Sequence, residues 1–568
     1  MKLKTVFENF ELLTDAPNAV AKLREIILQL AIRGKLVAQH PNDEPALALL
    51  ERIKSKKKQL IFSKKTQKLD FNLSDEEDVI LESLPVNWYW TNLETIGWIN
   101  PRNNLPDDLD VAFIPMNLIP QKYGVVVQWE TKKWGDVKKG FTHFAEGDVA
   151  LAKITPCFQN GKSCVMRGLK NQFGAGTTEL HIFRPIDNLT YPEYVLIYFN
   201  SVSFIKNAIP IMTGTAGQKR VPNSYVVQNP FPLAPLAEQK RIVEKCDRLL
   251  SICDEIEKRQ QQRKESIVRM NESAIAQLLS SQNPDEFRQH WQRICNNFDL
   301  LYSIPETIPK LRLAILQLAV KGKLVRQDPN DEPASVLLSK IKFEKENLVQ
   351  QGKIKADKPI PIDKSFELLN KLPQNWQWVR LQDFCLVITD GDHLAPPQTE
   401  IGIPLLVIGN VRNGFLDFTN TRFVPEQYFT RLDVIRVPKK GDILYTLVGS
   451  YGIPVLVNID KPFCVQRHIS IIKPSQFLNV EYLKYLLSSE MVFKQATECA
   501  TGIAQKTVPL SGLRKMVVPL PPLAEQKRIV EKCDRLMSLC NTLEAKLKQG
   551  RDSSEKLMEV AAKHVLTA

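Results

Sequence analysis

The sequence predicts an α+β chain with a pseudo-twofold internal repeat: two β-rich domains set in a duplicated helical frame. Three observations predict it. Residues Pro235 to Leu249, PLAEQKRIVEKCDRL, recur unchanged at Pro522 to Leu536. Leu23 to Ala46, LREIILQLAIRGKLVAQHPNDEPA, matches Leu311 to Ala334, LRLAILQLAVKGKLVRQDPNDEPA, at 18 of 24 positions. Between these constant pieces lie two inserts that are not repeated to the same degree. Internal repeats decide the architecture first, and 568 residues exceed what one core organises.

Each copy opens with a helix, because Leu23, Ile26, Ile27, Leu30 and Ala31 fall at helical spacing. Gly34 and Gly322 are the expected stops. In the PNDEPA motif that follows, Asp43 or Glu44 can cap a second helix, with Pro45 in its first turn, where a missing N–H is harmless. Asp331 and Pro333 repeat the arrangement. Lys54, Lys56, Lys57, Lys58, Lys64 and Lys65 read as a solvated helix face or loop, a phosphate-contacting strip being the alternative.

Each insert starts at an aromatic landmark, Leu84-Pro85 with Trp88-Tyr89-Trp90 and Leu372-Pro373 with Trp376-Gln377-Trp378. Pro and Gly then punctuate short β-branched and aromatic runs. Val125 to Trp129, Asp148 to Ile154, Asp442 to Val448 and Val455 to Val457 are expected strands. Tyr191 to Asn207 and Val480 to Ala496 are expected amphipathic helices. The long terminal helices carry heptad seams: Ile242, Cys246, Leu249, Cys253, Ile256, Ile267, Met270 and Ala274 in one copy. In the other they are Ile529, Cys533, Leu536, Cys540, Leu543, Leu547, Leu557 and Ala561. Gln260 and Arg263 interrupt the first seam and Gly550 the second, which predicts a kink or polar layer. At about 1.5 Å per residue the first rod is roughly 65 Å long. The expected domains are a helical segment with a lysine-rich linker (1–84), a β-rich domain (85–234), a central helical region (235–371), a second β-rich domain (372–521) and a terminal long helix (522–568).

Composition sets bounds. Hydrophobic residues at 43% and charged residues at 24% suit a soluble globular protein. MKLKTVFENFELL has no signal-peptide core, and no apolar run approaches the roughly 20 residues of a membrane helix. Ten cysteines include no C-x-x-C pair, so zinc and disulfide frameworks are not signalled, and a reducing cytoplasm is expected. The net charge of +13, from 76 basic and 63 acidic residues, permits a polyanionic partner.

The P-L-A-E-Q-K-R-I-V element after each insert, with A-I-L-Q-L-A-V-K-G-K-L-V…D-P-N-D-E-P-A from Ala314 to Ala334, resembles the specificity subunit of type I restriction–modification systems. The likeness covers nearly the whole chain. It implies two target-recognition domains separated by a long antiparallel two-helix coiled coil. Each domain would read one half of an asymmetric bipartite site in double-stranded DNA. The resemblance implies no catalytic activity and no bound cofactor on this chain. The implied partners are two modification (methyltransferase) subunits and restriction (motor-nuclease) subunits, which would carry S-adenosylmethionine, ATP and Mg2+.

Three constellations are candidates for contact with DNA. The first is a polar hairpin tip after a Gly-Asp turn. Beyond Gly147-Asp148 it offers Lys153, Thr155, Gln159, Asn160 and Lys162, and beyond Gly441-Asp442 it offers Ser450 and Tyr451. Such tips present donors and acceptors to bases or phosphates, an ordinary polar turn being the alternative. The second is the loop from Thr213 with Gly214, Gln218, Lys219 and Arg220, matched from Thr501 by Gly502, Gln505 and Lys506. Glycine lets backbone approach a phosphate and the cations supply charge; a structural turn before a strand competes with this. The third is Gln466-Arg467-His468, opposite Thr177-Thr178-Glu179 in the first insert. Arg suits guanine and Gln suits adenine.

Fragments that mimic active sites fall short. Asn160-Gly161-Lys162-Ser163 resembles the end of a phosphate loop, but Pro156 stands where the first Gly belongs. Phe173-Gly174-Ala175-Gly176 lacks a strand–turn–helix context, and Asn229-Pro230-Phe231-Pro232 transposes a methyltransferase tetrapeptide. Asp107, Glu130 and Lys132 meet a loose nuclease pattern, so a stand-alone nuclease is one alternative. A coiled-coil protein-binding scaffold is another.

Overall fold

The computed structural model describes residues 16–63 and 83–567 apart from 122, 187, 216, 358, 359, 361, 363–370, 394, 395, 413 and 504. The first thirteen residues, Lys64 and Lys65 of the lysine cluster, and one alanine of each basic loop lie outside the described residues. The chain divides into two compact units. One runs to Arg263 and takes in Gly550 onward; the other is Lys264–Gln549.

In the first unit the helices include α1 (Ala19–Ile32), α2 (Ala46–Ser63), α3 (Pro192–Phe199) and the start of α4 (Leu236–Ser280). The strands are β1 (Tyr89–Thr91), β2 (Gly97–Ile99), β3 (Asp110–Ile114), β4 (Glu130–Lys133), β5 (Thr142–Ala145), β6 (Val149–Ala152), β7 (Ser163–Val165), β8 (Phe173–Gly176), β9 (Leu180–Pro185) and β10 (Phe231–Leu233). β1 pairs antiparallel with β10, so the insert leaves and rejoins its frame on neighbouring strands. Inside it, one four-stranded sheet runs β2-β9-β6-β7 and another β4-β3-β8-β5, with β3 and β8 parallel. β6 is buried on both faces, as its apolar run Val149-Ala150-Leu151-Ala152 requires. Val149 and Leu151 join a core with α1, α2, α3 and α4, while Ala150 and Ala152 pack with Ala112 and Ile114 of β3.

The second unit repeats this plan. Its helices include α5 (Pro284–Asn296), α6 (Ile308–Val320), α7 (Ala334–Gln350), α8 (Val480–Leu487) and the start of α9 (Leu523–Thr567). Its strands are β11 (Gln377–Arg380), β12 (Cys385–Asp390), β13 (Ile403–Leu406), β14 (Val411–Arg412), β15 (Phe415–Leu416), β16 (Arg422–Val424), β17 (Ile443–Thr446), β18 (Pro454–Leu456), β19 (Cys464–Val465), β20 (Ile469–Pro474) and β21 (Val517–Leu520). β11 with β21 forms the stem, β12-β20-β17-β18 one sheet, and β16-β13-β19 the other, with β13 and β19 parallel. The inserts thus share the stem, the order of the first sheet and a parallel pair in the second, while among the described residues β5 has no counterpart and β14 with β15 forms an extra hairpin.

The repeated motifs lock together within each unit. Trp88 Nε1 donates to the Glu238 carboxylate at 3.0 Å, and Trp376 Nε1 to that of Glu525 at 2.8 Å. Gln39 and Gln327 donate to the same two carboxylates. Gln239 accepts from Tyr191 N and donates to Ala234 O; Gln526 accepts from Asn479 N and donates to Pro521 O. Arg241 pairs with Asp43 and Arg528 with Asp331, both at 2.6 Å. The two motif families therefore recur together because they are halves of one clamp.

Several expectations need correction. The PNDEPA aspartates are taken by these arginines, and Pro333 itself stands at the N-cap of α7 with no side-chain cap. Val125 to Trp129 is irregular, with Val125 and Val126 exposed, because no strand pairs with it. The two amphipathic stretches are each broken into two helices. Ser201 starts Val202–Ala208 and Ser489 starts Glu490–Cys499, each side chain accepting from the backbone three residues on. Both long helices run through the interruptions as continuous helix, and no residue of 257–266 or 548–557 is buried. Beyond these stretches Ile267 and Ala561 are buried as expected, and one position in each seam differs. Asn271 and Met558 are buried where Met270 and Leu557 were expected, the drift of a 3.6-residue helix against a strict heptad. Cys246, Cys253, Cys533 and Cys540 are free and buried, as small apolar seam residues. Lys57 is not on a solvated face: its ammonium donates to Glu94 O and Gly97 O, as Lys345 does to Gln382 O and Cys385 O.

Candidate nucleic-acid interface

In the first unit β6 delivers the chain to Lys153, and the Thr213–Arg220 loop returns beside it. Thr213 and Arg220 close the loop through reciprocal backbone bonds of 3.0 and 2.7 Å. Val221 N donates to Lys153 O at 2.9 Å and Thr155 N to Lys219 O at 2.8 Å. The second unit does the same with other residues. Thr501 and Thr507 exchange bonds of 2.9 and 2.8 Å, Val508 N donates to Leu447 O at 2.8 Å, and Gly449 N to Lys506 O at 3.1 Å. Lys219 and Lys506 thereby occupy one slot in a common backbone pattern. The turn depends on glycine: Gly214 has φ +123° and Gly502 φ +98°. A Cβ there would meet Gln218 O at 2.8 Å and Gln505 O at 2.5 Å.

The third constellation joins this surface. Lys153 N donates to Glu179 O, and Leu447 N to His468 O, both at 2.9 Å, so Glu179 and His468 hold equivalent positions. The structure therefore brings each insert's three constellations together, which spacing in the sequence does not reveal.

The side chains differ in what they leave open. Gln218, Lys219, Gln505 and Lys506 are exposed, and among the described residues neither lysine ammonium has an ion pair or hydrogen bond. Gln159, Asn160 and Ser450 are exposed on the hairpin tips. Lys162 is turned inward, its ammonium donating to Met116 O at 2.9 Å. Tyr451 stacks on Phe493 with centroids 5.6 Å apart and donates to Thr497 Oγ1. Arg467 is exposed with its Nε 3.4 Å from His468 Nε2, and the Gln466 backbone forms a parallel β-bridge with that of Asp392. Burial pushes the His468 imidazole below its ordinary range, with Arg467 adding to the effect. Arg220 is held by Glu179, whose carboxyl this hydrogen bond keeps below the usual range.

The Gly-Asp turns are structural. Asp148 accepts from Ala145 N and pairs with Arg184 at 2.7 Å, and Asp442 accepts from Lys439 N and pairs with Lys473 at 2.6 Å. A group that sequence reasoning missed lies at the end of β12. There buried Asp390 holds His393 Nε2 at 3.1 Å and Arg436 at 3.5 Å. The Asp–His spacing of three was its one visible signal. The nuclease-like trio does not assemble: Asp107 holds Lys138 at 2.6 Å, and Lys132 lies 3.7 Å over the Phe113 ring.

The duplicated frame and its two heads of related topology define a modular, two-headed protein. A family model described as the type I restriction modification DNA specificity domain matches residues 373–550. The chain is 37% identical over 95% of its length to the type I restriction enzyme EcoAI specificity subunit of Escherichia coli, covering 92% of that protein. It is 36% identical over 95% of its length to the EcoEI specificity subunit of the same organism, covering 93%. A crystal structure of an HsdS subunit from Thermoanaerobacter tengcongensis aligns with 84% of this chain and 97% of its own at 19% identity, with a TM-score of 0.41. The chain belongs to the type I restriction–modification specificity-subunit family, and its function is DNA sequence specificity. Among the described residues no helix is long and apolar enough to cross a membrane.

Proposed function

We propose that the chain reads an asymmetric bipartite site in double-stranded DNA, residues 85–234 taking one half and 372–521 the other. The observation that carries this reading is the basic loop stitched to the hairpin tip by the same backbone bonds in both inserts. Phosphate contacts position such a protein and base-edge contacts specify the sequence. Lys219 and Lys506 would do the first, and the neighbouring residues, which differ between the inserts, the second. Different readers give different half-sites.

In this reading the chain has no catalytic role of its own. It assembles in the cytoplasm with two modification subunits, which bind S-adenosylmethionine and methylate adenine. Restriction subunits, using ATP and Mg2+, translocate and cut. The long helices, each of 45 residues and so about 68 Å long, fix the unread gap.

The test is DNA binding as a function of salt. Lys219→Ala and Lys506→Ala are each expected to weaken binding and to lower the salt slope by about one. An unchanged slope in both variants removes the loop from the interface.

A further inference from the structure

Arg220 is tied down on one side and open on the other. A guanidinium carries five N–H donors in a flat fork. Three of them are used within the chain. Nε and Nη2 donate to the two carboxylate oxygens of Glu179 at 3.0 and 2.8 Å, and Nη1 donates to Gln218 O at 3.0 Å. Among the described residues nothing takes the remaining N–H of each terminal nitrogen, on a side chain still 40% exposed. Two donors at the end of a planar fork match the paired acceptors O6 and N7 that guanine presents in the major groove. Binding a phosphate needs no such restraint, since a mobile ammonium such as that of Lys219 supplies the charge. Holding the fork in advance spares the rotamer freedom a long side chain would lose on binding.

We infer that Arg220 reads a guanine in the half-site of the first insert, and that Glu179 is the positioning residue that aims it. The inference rests on the DNA-reading role proposed for the loop. In the second insert Thr507 stands at the place of Arg220 and His468 at that of Glu179. That insert has no such fork there, so this guanine belongs to the first half-site alone.

The experiment uses the full chain assembled with its methylation partner, with methylated adenines mapped for wild type, Arg220→Lys, Glu179→Gln and the double variant. Arg220→Lys keeps the charge but loses the fork. It is expected to tolerate another base at one G·C pair of the first half-site roughly 5- to 150-fold better than wild type, with the second half-site unchanged. Glu179→Gln should relax the same pair to a smaller degree, and the double variant should go no further than Arg220→Lys. A residue that merely held the loop would change overall binding without changing which base is accepted. A second arm needs no variant: in duplexes carrying the mapped site, each guanine of the first half-site is replaced in turn by 7-deazaguanine, which lacks the N7 acceptor. One position should lose affinity for the wild-type complex. The inference is overturned by an unaltered motif in Arg220→Lys, by indifference to 7-deazaguanine, or by a first half-site without guanine. The loop's role in DNA binding fails separately, on the salt slopes of Lys219→Ala and Lys506→Ala.

Discussion

Glu238 and Glu525 are buried anchors of the fifteen residues that recur letter for letter. Each is 1% exposed and accepts from an indole and from a glutamine amide on other elements. Glu238→Ala leaves the Trp88 N–H buried without an acceptor, which costs about 1–3 kcal/mol; the urea midpoint of the chain should fall accordingly. Burial pushes both carboxyls above their ordinary value of 4.5. The folded chain therefore holds these protons more tightly than the unfolded chain. Their contribution to stability is full below the unfolded value and is lost as pH rises through the raised folded one. A Glu238→Gln, Glu525→Gln double variant should flatten that decline, which urea melts across the acid-to-neutral range would detect. At this scale the sequence announced which residues matter and not what they hold. Asp43 and Asp331 sit just before helices, so local rules made them caps, yet each answers an arginine nearly two hundred residues away.

Strands and helices were legible where a segment's own pattern decides its state. The runs at Asp148 and Asp442 contain β6 and β17, since an apolar run buried on both faces needs a packed layer on each side. Val125 to Trp129 has equal β propensity but no partner, and propensity does not supply one. The serines that divide the insert helices are themselves the signal in the sequence, as N-cap residues of the second helix of each pair. Ser489→Ala should cost about 1 kcal/mol, read as a lower melting temperature. The basic loop behaves differently from a cap. Gly502→Ala would force its Cβ against Gln505 O, so DNA affinity should fall while the melting temperature of the core stays close to wild type. Equal losses in both measurements would mean that the loop supports the fold rather than the contact. That the tip, the loop and the Gln466–His468 turn converge could not be seen, because backbone bonds between distant segments bring them together.

Across the whole molecule, the two rods each carry a polar, unburied stretch at the place where the units divide. Removing one heptad from each rod within those stretches would leave both clamps untouched and shorten each by about 10 Å. At about 3.4 Å per base pair, the unread gap should shrink by roughly three base pairs, measured by mapping methylated adenines. A gap that kept its length would show that the rods do not set it. The duplicated frame was readable from identity alone, whereas the part of the topology that the inserts share was not, since sheets tolerate wide substitution provided each face stays apolar.

β1 with β10, and β11 with β21, bring the two ends of each insert side by side. A reading head is thus plugged in like a cartridge on a fixed mounting. On the reading proposed above, exchanging the whole segment between the paired strands would change the half-site that is read while leaving the clamp beneath it as it was.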